Sequence, residues 1–167
     1  MKRQQLTLFL DKNQSADIEE IRKKYNPIQH DLIDSHITFC REDELLDLTT
    51  IRNNLQNLKF EPLKLHFGQP QRFYDGKGVL LPVLGDVELF QFLRKNILKG
   101  VIENPKEHAP HLTLMHPRNS ICTDAIFQEI RKISFLTPHV FYKISLIQQF
   151  NMGKWEVLEE FDIKINE

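Results

Sequence analysis

The spacing of apolar and polar positions divides the chain into short strands and amphipathic helices. Alternation with a period of two is typical of half-buried strands, and apolar positions three or four residues apart are typical of helices. Strands are predicted over residues 6–10, 34–40, 63–67, 71–74, 79–84, 109–115, 140–150 and 155–163. Helices are predicted from Ser15 or Asp17 up to Pro27, over 42–58, over 87–98 behind a cap at Asp86, and over 123–133.

The order of these elements repeats, which predicts a duplicated α+β fold. Strand, helix, strand, helix, strand and turn follow one another in residues 1–77 and, roughly, again in residues 78–167. Residues near the two predicted turns recur at an offset of 77: Gln71, Phe73, Gly76 and Lys77 return as Gln148, Phe150, Gly153 and Lys154. We therefore expect a single domain over residues 1–167 with two pseudo-symmetric lobes. Each lobe would hold an antiparallel sheet with helices outside, and a cleft would lie between the lobes.

A pattern of histidine, apolar residue, threonine and apolar residue occurs once in each half. The two copies are His36-Ile37-Thr38-Phe39 and His111-Leu112-Thr113-Leu114. In a strand, successive side chains point to opposite faces, so histidine and threonine share one face while the apolar pair faces the core. One copy could arise by chance, but the doubling at equivalent places favours a functional site. A pseudo-two-fold axis would set the two imidazoles across one cleft.

Twin motifs in a duplicated chain of this length resemble the 2H phosphoesterase superfamily, which includes 2′-5′ RNA ligase-like proteins and cyclic nucleotide phosphodiesterases. The resemblance covers the whole chain: both motifs, their spacing and the order of elements. The segment Arg22-Lys23-Lys24-Tyr25-Asn26-Pro27 also resembles the small bacterial branch of that superfamily. The first motif departs from the family pattern, because Ser35 stands where a proline often precedes the histidine, whereas Pro110 precedes the second.

The resemblance implies that His36 and His111 are a catalytic acid/base pair and that Thr38 and Thr113 bind the substrate phosphate. Cleavage of a phosphodiester needs one base and one acid, and two imidazoles near pKa 6.5 divide these roles at neutral pH. Threonine hydroxyls donate hydrogen bonds to the non-bridging oxygens. We therefore expect a metal-independent, cofactor-free phosphodiesterase in RNA processing that opens a 2′,3′-cyclic phosphate or cuts a 2′-5′ linkage, and that also runs the reverse ligation. Which histidine is the base stays open.

A zinc site is a competing interpretation of the histidines. His108 and His116 lie three and five residues from His111, so on a continuous strand they would point to the opposite face. Cys40 lies four residues from His36, about 13 Å away along an extended strand. The sequence therefore predicts no metal ligand set.

Several other residues keep two interpretations. Arg118 follows the second motif and would help to bind an anion if it lined the site, but it is equally compatible with a solvated loop. Aromatic residues near the two turns could stack on a base or pack in the core: Phe73, Tyr74, Phe150 and Trp155. The basic run Arg22-Lys23-Lys24 is interpreted as the solvated end of a helix.

Net charge and cysteine count limit the kinds of binding partner that we expect. The chain has 22 basic and 23 acidic residues, a net charge of −1, whereas proteins that coat duplex nucleic acid carry a strong basic excess. We therefore expect a nucleotide or RNA end as substrate and no duplex DNA. Two cysteines indicate a reducing compartment, and no apolar run approaches the roughly 20 residues of a membrane span. A cytoplasmic monomer without a membrane partner or a cleavable leader is expected.

Two further classes of function remain open. The chain could be a non-catalytic nucleotide- or RNA-end-binding module that uses the same cleft, or a structural, partner-binding protein. Enzyme and module both predict anion binding, but only the enzyme predicts that His36→Ala or His111→Ala removes turnover without removing binding. The structural class predicts no effect of either histidine in a nucleotide assay.

Overall fold

The computed structural model describes residues 1–163 and 165 and contains strands and helices in the predicted order. The strands are β1 (Lys2–Phe9), β2 (His36–Cys40), β3 (Leu63–Phe67), β4 (Gln71–Arg72), β5 (Val79–Gly85), β6 (His111–Met115), β7 (His139–Phe141), β8 (Lys143–Phe150) and β9 (Trp155–Asp162). The α-helices are α1 (Ala16–Tyr25), α2 (Pro27–Leu32), α3 (Leu48–Gln56), α4 (Val87–Ile97) and α5 (Asp124–Arg131). The predicted α+β class and the placement of both motifs on strands are confirmed.

Helix boundaries differ from the predictions at two places. Pro27 does not end the helical region but begins α2, because a missing N–H costs nothing at the first helical position. The helix predicted over 42–58 is split into a 3₁₀ turn at Glu42–Glu44 and α3. The α3 helix starts where Asp47 caps it, with the carboxylate accepting a hydrogen bond from the Thr50 N–H at 3.1 Å. In the described part of the chain, no helix is long and apolar enough to cross a membrane.

The strands pair antiparallel in one continuous path, β7-β3-β5-β6-β2-β1-β8-β9, with β4 added beside β5. The expectation of two separate antiparallel sheets is therefore wrong for the described residues, because β2 and β6 pair at Ile37 and Leu112 and join the two sides. In addition, β3 pairs with β5 and β1 pairs with β8, so each side of this junction mixes strands from both sequence halves. A duplicated, two-lobed arrangement stays a prediction.

The two motif strands have equivalent neighbours on either side of the junction. The pairs along β1 and β2 include Phe9 with His36 and Thr7 with Thr38, and those along β5 and β6 include Pro82 with His111 and Leu80 with Thr113. Each motif strand is therefore held between one flanking strand and the other motif strand. This arrangement brings the two motif faces side by side.

The apolar residues of both motifs are buried in the core, as their alternation predicts. All are at most 1% exposed: Ile37, Phe39, Leu112 and Leu114. Burial of one such side chain stabilises the fold by roughly 1.5–3 kcal/mol. The histidines and threonines alternate with them and are half-buried on the opposite face. The core therefore anchors the strands that present the candidate site.

Candidate active site

The four motif side chains predicted as a site line one cleft of about 310 Å³ at the β2–β6 junction. Ile37 pairs with Leu112 across this junction. Continuing the antiparallel register sets His36 opposite Thr113 and Thr38 opposite His111, on the face away from the core. The structure therefore brings all four motif residues together.

Both motif imidazoles are held in the same orientation by their own strands. The distance from His36 Nδ1 to the Asp34 carbonyl oxygen is 2.8 Å, and that from His111 Nδ1 to the Ala109 carbonyl oxygen is 3.2 Å. A carbonyl oxygen only accepts hydrogen bonds, so each Nδ1 carries a hydrogen and donates it. In the neutral ring the lone pair is then on Nε2. Each histidine therefore has one nitrogen fixed and one nitrogen available for proton transfer.

The pKa values of both motif histidines are lowered by desolvation in the half-buried cleft. For His36 the pKa falls to about 4, because desolvation and the positive charge of Arg22 outweigh the hydrogen bond to the Asp34 carbonyl. Desolvation also lowers the pKa of His111. Both rings are therefore mostly neutral at neutral pH, which differs from the opposite protonation states expected from the sequence. A bound phosphate, being an anion, would raise both pKa values.

The wall of the cleft carries positive charge. Three arginines line it, Arg3, Arg22 and Arg118, and none of its lining residues is a carboxylate within the described ranges. Of the two interpretations of Arg118, the structure favours the position at the site. Arg22 is paired with Glu19 at 2.9 Å and Arg3 with Glu42 at 2.6 Å, whereas Arg118 has no carboxylate partner within the described residues. An unpaired guanidinium group at the wall of a cleft attracts anions.

Arg22 is buried, so its interpretation as a solvated helix end is wrong. Its side chain is 2% exposed, and its Nη1 donates to the Glu19 carboxylate at 2.9 Å. Its Nη2 donates to the carbonyl oxygen of Ile33 at 2.7 Å, while Nε has no partner among the described residues. Arg22 follows Ile18 by four residues, which places it on the apolar face of α1. That spacing was the signal in the sequence that could have found it.

His116 also lines the cleft, contrary to the strand-alternation argument. The β6 strand ends at Met115, so the alternation of side chains no longer applies to the next residue. The chain turns there, and the Asn119 N–H donates to the His116 carbonyl oxygen at 3.1 Å. The sequence carries a weak signal for this turn in Pro117.

A second cavity of about 480 Å³ opens beside the first. The two cavities share Thr38, His111, Arg3 and Gln5. Beyond these, the second cavity is lined by Arg41, Glu42, Asp43 and His108, so its charges are mixed. Thr38 and His111 thus lie between the first cleft, whose charged lining residues are arginines, and a second cavity with charges of both signs. This leaves room for a chemical group on either side of a phosphate held by the motif.

Two of the four aromatic candidates line the cleft. Phe73 packs edge-on against His111 with ring centroids 5.6 Å apart, and Trp155 lies under the Arg3 guanidinium at 5.4 Å. Tyr74 is fully exposed and lines neither cavity, and Phe150 is half-exposed outside both. Phe73 and Trp155 are therefore the aromatic rings available for contact with a ligand.

The zinc interpretation of the histidines, with Cys40 as a further ligand, finds little support in the described residues. No group of three or more histidine, cysteine, aspartate or glutamate side chains that could hold a metal ion occurs within residues 1–163 and 165. Cys40 and Cys122 are buried free thiols, and desolvation raises the pKa of each, which disfavours the reactive thiolate. Neither cysteine lines either cavity.

The fold is that of a known class of α+β proteins, as comparison with solved structures shows. LigT of E. coli in its apo form matches with a TM-score of 0.68 at 13% identity, over 98% of each chain. LigT complexed with phosphate matches with a TM-score of 0.64 at 15% identity, over the same shares. TT0787 of Thermus thermophilus matches with a TM-score of 0.61 at 18% identity, over 99% of this chain and 100% of that one.

No family model matches the sequence, and no curated protein matches it. At identities below a fifth, the structural matches establish the fold. They confirm, at the level of fold and over nearly the whole chain, the resemblance that the twin motifs indicated. Structures of LigT complexed with 3′-AMP, with ATP and with NADP+ are also among the matches.

Proposed function

We propose that this protein is a 2H-type phosphoesterase that cleaves a phosphodiester of a nucleotide or RNA end by acid–base catalysis, without a metal or other cofactor. One observation carries the proposal. Two equivalently oriented imidazoles, His36 and His111, share an arginine-walled cleft with two threonine hydroxyls. The complexes of the similarly folded LigT with phosphate and 3′-AMP support a phosphate ligand for this fold.

In the proposed reaction His36 is the base and His111 the acid. Desolvation and the Arg22 charge keep His36 unprotonated at neutral pH, so its Nε2 lone pair is free to accept a proton. Nε2 of His36 takes a proton from water, the water oxygen attacks phosphorus, and the bond from phosphorus to the departing ribose oxygen breaks. Nε2–H of His111 gives its proton to that oxygen. His36 ends protonated and His111 neutral, and exchange with solvent resets the pair.

The threonines and arginines stabilise the charge that builds on the phosphate. Thr38 and Thr113 donate their hydroxyl hydrogens to non-bridging oxygens, and the arginine wall offsets the negative charge. Because the cavities lie on both sides of Thr38 and His111, one cavity can take a nucleoside and the other the departing group or a water. A 2′,3′-cyclic phosphate and a 2′-5′ linkage both fit this arrangement, as does the reverse ligation.

The function is tested by hydrolysis of 2′,3′-cyclic nucleotides and 2′-5′-linked oligonucleotides in the presence of EDTA. We expect turnover that EDTA does not reduce, because the proposed acid and base are both side chains. Product analysis by chromatography identifies which ester bond breaks. Turnover abolished by EDTA and restored by a divalent cation would contradict the metal-independent mechanism.

A non-catalytic nucleotide-binding module is the second candidate, and one observation favours it. The lowered pKa values leave both motif histidines mostly neutral at neutral pH, so only a small fraction of His111 carries the proton that the acid role needs. The module predicts binding of a 2′,3′-cyclic nucleotide that weakens in Thr38→Val and Thr113→Val, with no product formed by wild type. Calorimetric binding measured beside the turnover assay separates the two candidates.

A further inference from the structure

A third imidazole faces the same cleft as the two motif histidines. His116 is the first residue after β6, is half-buried and lines the cleft together with His36 and His111. The charges of Arg118 and Arg3 act on it, and its ring interacts electrostatically with His111. The acid–base reaction uses two histidines, so this third one has no role in it.

The backbone of His116 is fixed from both sides by hydrogen bonds. Its N–H donates to Asn26 Oδ1 at 2.7 Å, and its carbonyl oxygen accepts from Ser120 Oγ at 2.7 Å. Asn26 is 1% exposed and also donates through Nδ2 to Asn119 Oδ1 at 2.9 Å. The buried Asn26 side chain thus ties the start of α2 to the turn at residues 116–119. The position of His116 is therefore set before any ligand binds.

The tautomer of His116 is opposite to that of the motif histidines. Its Nδ1 lies 3.1 Å from the backbone N–H of Arg118, which is a donor. Nδ1 must therefore accept, and the ring hydrogen is on Nε2. Protonation would place two N–H groups against each other, so this geometry keeps the ring neutral. Desolvation and the charges of Arg118 and Arg3 act in the same direction and lower the pKa of His116 to about 4.

The Nε2–H of His116 has no acceptor among the described residues of the chain. A half-buried N–H in a cleft that contains no carboxylate needs an acceptor from a ligand or from solvent. Arg118 also lines the cleft and favours an anionic ligand there, and the oxygens of a phosphate are strong acceptors.

We propose that His116 is a substrate-binding residue that donates its Nε2–H to an oxygen of the phosphate ester held in the cleft. This inference about His116 rests on the proposed phosphoesterase function, because it assumes that the ligand is a phosphate ester. His36 and His111 offer lone pairs that exchange protons, whereas His116 offers a permanent N–H that does not. His116 therefore contributes to affinity rather than to proton transfer.

Matched substitutions test this role by keeping or removing the donor. His116→Phe keeps a ring but loses the N–H, and we expect KM for a 2′,3′-cyclic nucleotide to rise about tenfold with kcat changed less than about threefold. His116→Gln retains an N–H at the end of the side chain, and we expect KM within about threefold of wild type. His66→Phe is the control, since His66 lies on β3 and lines neither cavity.

A second measurement uses wild-type protein and needs no turnover. Nitrogen-15 NMR of the histidine rings identifies the tautomer, and we expect His116 to carry its hydrogen on Nε2 with no change between pH 6 and 8. Addition of inorganic phosphate should shift the Nε2–H resonance in a saturable way. A ring hydrogen on Nδ1, or no shift at saturating phosphate, overturns the proposal.

The outcomes separate this inference from the proposed function. If wild type turns over but His116→Phe has an unchanged KM, the inference fails and the phosphoesterase proposal stands. An equal rise of KM in His116→Gln and His116→Phe also overturns the inference, because a structural role does not depend on the donor. If wild type shows the phosphate-dependent shift but forms no product from any substrate, the phosphoesterase proposal fails and the inference stands.

Discussion

Replacement of His36 or His111 by alanine is expected to lower kcat by a factor of about 10² to 10⁴, the range typical of general acid–base catalysis. Each imidazole has one nitrogen bound to a carbonyl oxygen and the other available in the cleft, so alanine removes the proton-transfer atom together with one hydrogen bond and one ring contact. Both residues are half-buried on a strand whose core-facing side chains are unchanged. Steady-state kinetics on a 2′,3′-cyclic nucleotide measure the effect.

The control for these variants is His66→Ala, which removes an imidazole from a strand outside both cavities and is expected to leave kcat unchanged. The double variant His36→Ala/His111→Ala should lose little more than the worse single variant, because the pair acts as a unit. Calorimetry should find nucleotide binding retained in each single variant. A decrease of kcat below threefold in either variant would remove that histidine from the proposed mechanism.

The same pair sets the pH dependence of kcat/KM, which reports the free enzyme. The proposed reaction needs a proton on His111 and none on His36. Desolvation places the pKa of His111 below its ordinary value of about 6.5, so the reactive fraction falls about tenfold per unit above that pH. Below about pH 4, His36 becomes protonated and the base is lost. We expect an acidic optimum, and a flat profile from pH 6.5 to 8.5 would contradict this assignment.

Arg94→Met is expected to destabilise the protein by about 3 to 5 kcal/mol, as removal of one partner from a buried ion pair does. Arg94 is 1% exposed, and its Nη2 donates to Glu44 Oε1 at 2.6 Å. Burial alone would raise the pKa of Glu44, but hydrogen bonds from Arg94 outweigh it and the pKa is lowered. The variant therefore leaves a half-buried carboxyl group without its guanidinium partner, and burial then opposes its ionisation. Urea unfolding at pH 7 measures the change.

Arg94 also bonds to the backbone beside both motifs. Its Nη1 donates to the Phe39 carbonyl oxygen at 2.6 Å, next to Thr38, and its Nη2 donates to the Lys106 carbonyl oxygen at 3.1 Å, in the segment that leads to β6. In Arg94→Met both carbonyl groups would lose a hydrogen bond from the guanidinium, which adds to the destabilisation. We expect part of the effect to appear as altered positioning of the motif strands.

Arg52→Met is the matched control, since Arg52 also pairs with a glutamate, at 2.9 Å, but at the surface. Exposed pairs contribute about 1 kcal/mol or less, so this variant should unfold close to wild type. Combining Arg94→Met with Glu44→Leu should recover much of the lost stability, because no unpaired charge remains. Equal effects of Arg94→Met and Arg52→Met would show that the Arg94 pair is not energetically special.

The motif strands were predictable because alternation is a local property of the sequence. Ile37 and Leu112 had to face the core, and this fixed the direction of the histidines beside them. His116 was missed because alternation holds only within a strand, and β6 ends one residue earlier. Its place in the cleft depends on Asn26, 90 residues away in the sequence. A contact of that separation leaves no periodic signal.

The single continuous sheet could not be predicted from local patterns either, because its strands pair across long sequence separations. The pairings of β2 with β6 and of β1 with β8 join segments that are far apart in the chain. The period of the hydrophobic positions predicts a strand but not which other strand it pairs with. The low pKa of His36 also arises from tertiary structure, through burial and the nearby Arg22 charge. The four motif residues of the site could be predicted from the sequence, whereas their protonation states depend on burial and on charges that only the folded structure brings together.

The central place of β1 has a consequence for how the site forms in time. β1 pairs with β2 on one side and with β8 on the other, and the β1–β8 pairing joins Lys2 to Phe150. All four motif residues are made by residue 113, yet Gln149 and Trp155, which line the cleft, come much later. Strands so far apart in the sequence pair slowly, because the chain between them loses conformational entropy before the stabilising contacts form. The proposed catalytic pair is therefore complete by residue 111, whereas the lining of the cleft is complete only after residue 155, so a nascent chain carries both histidines before it carries the whole cleft.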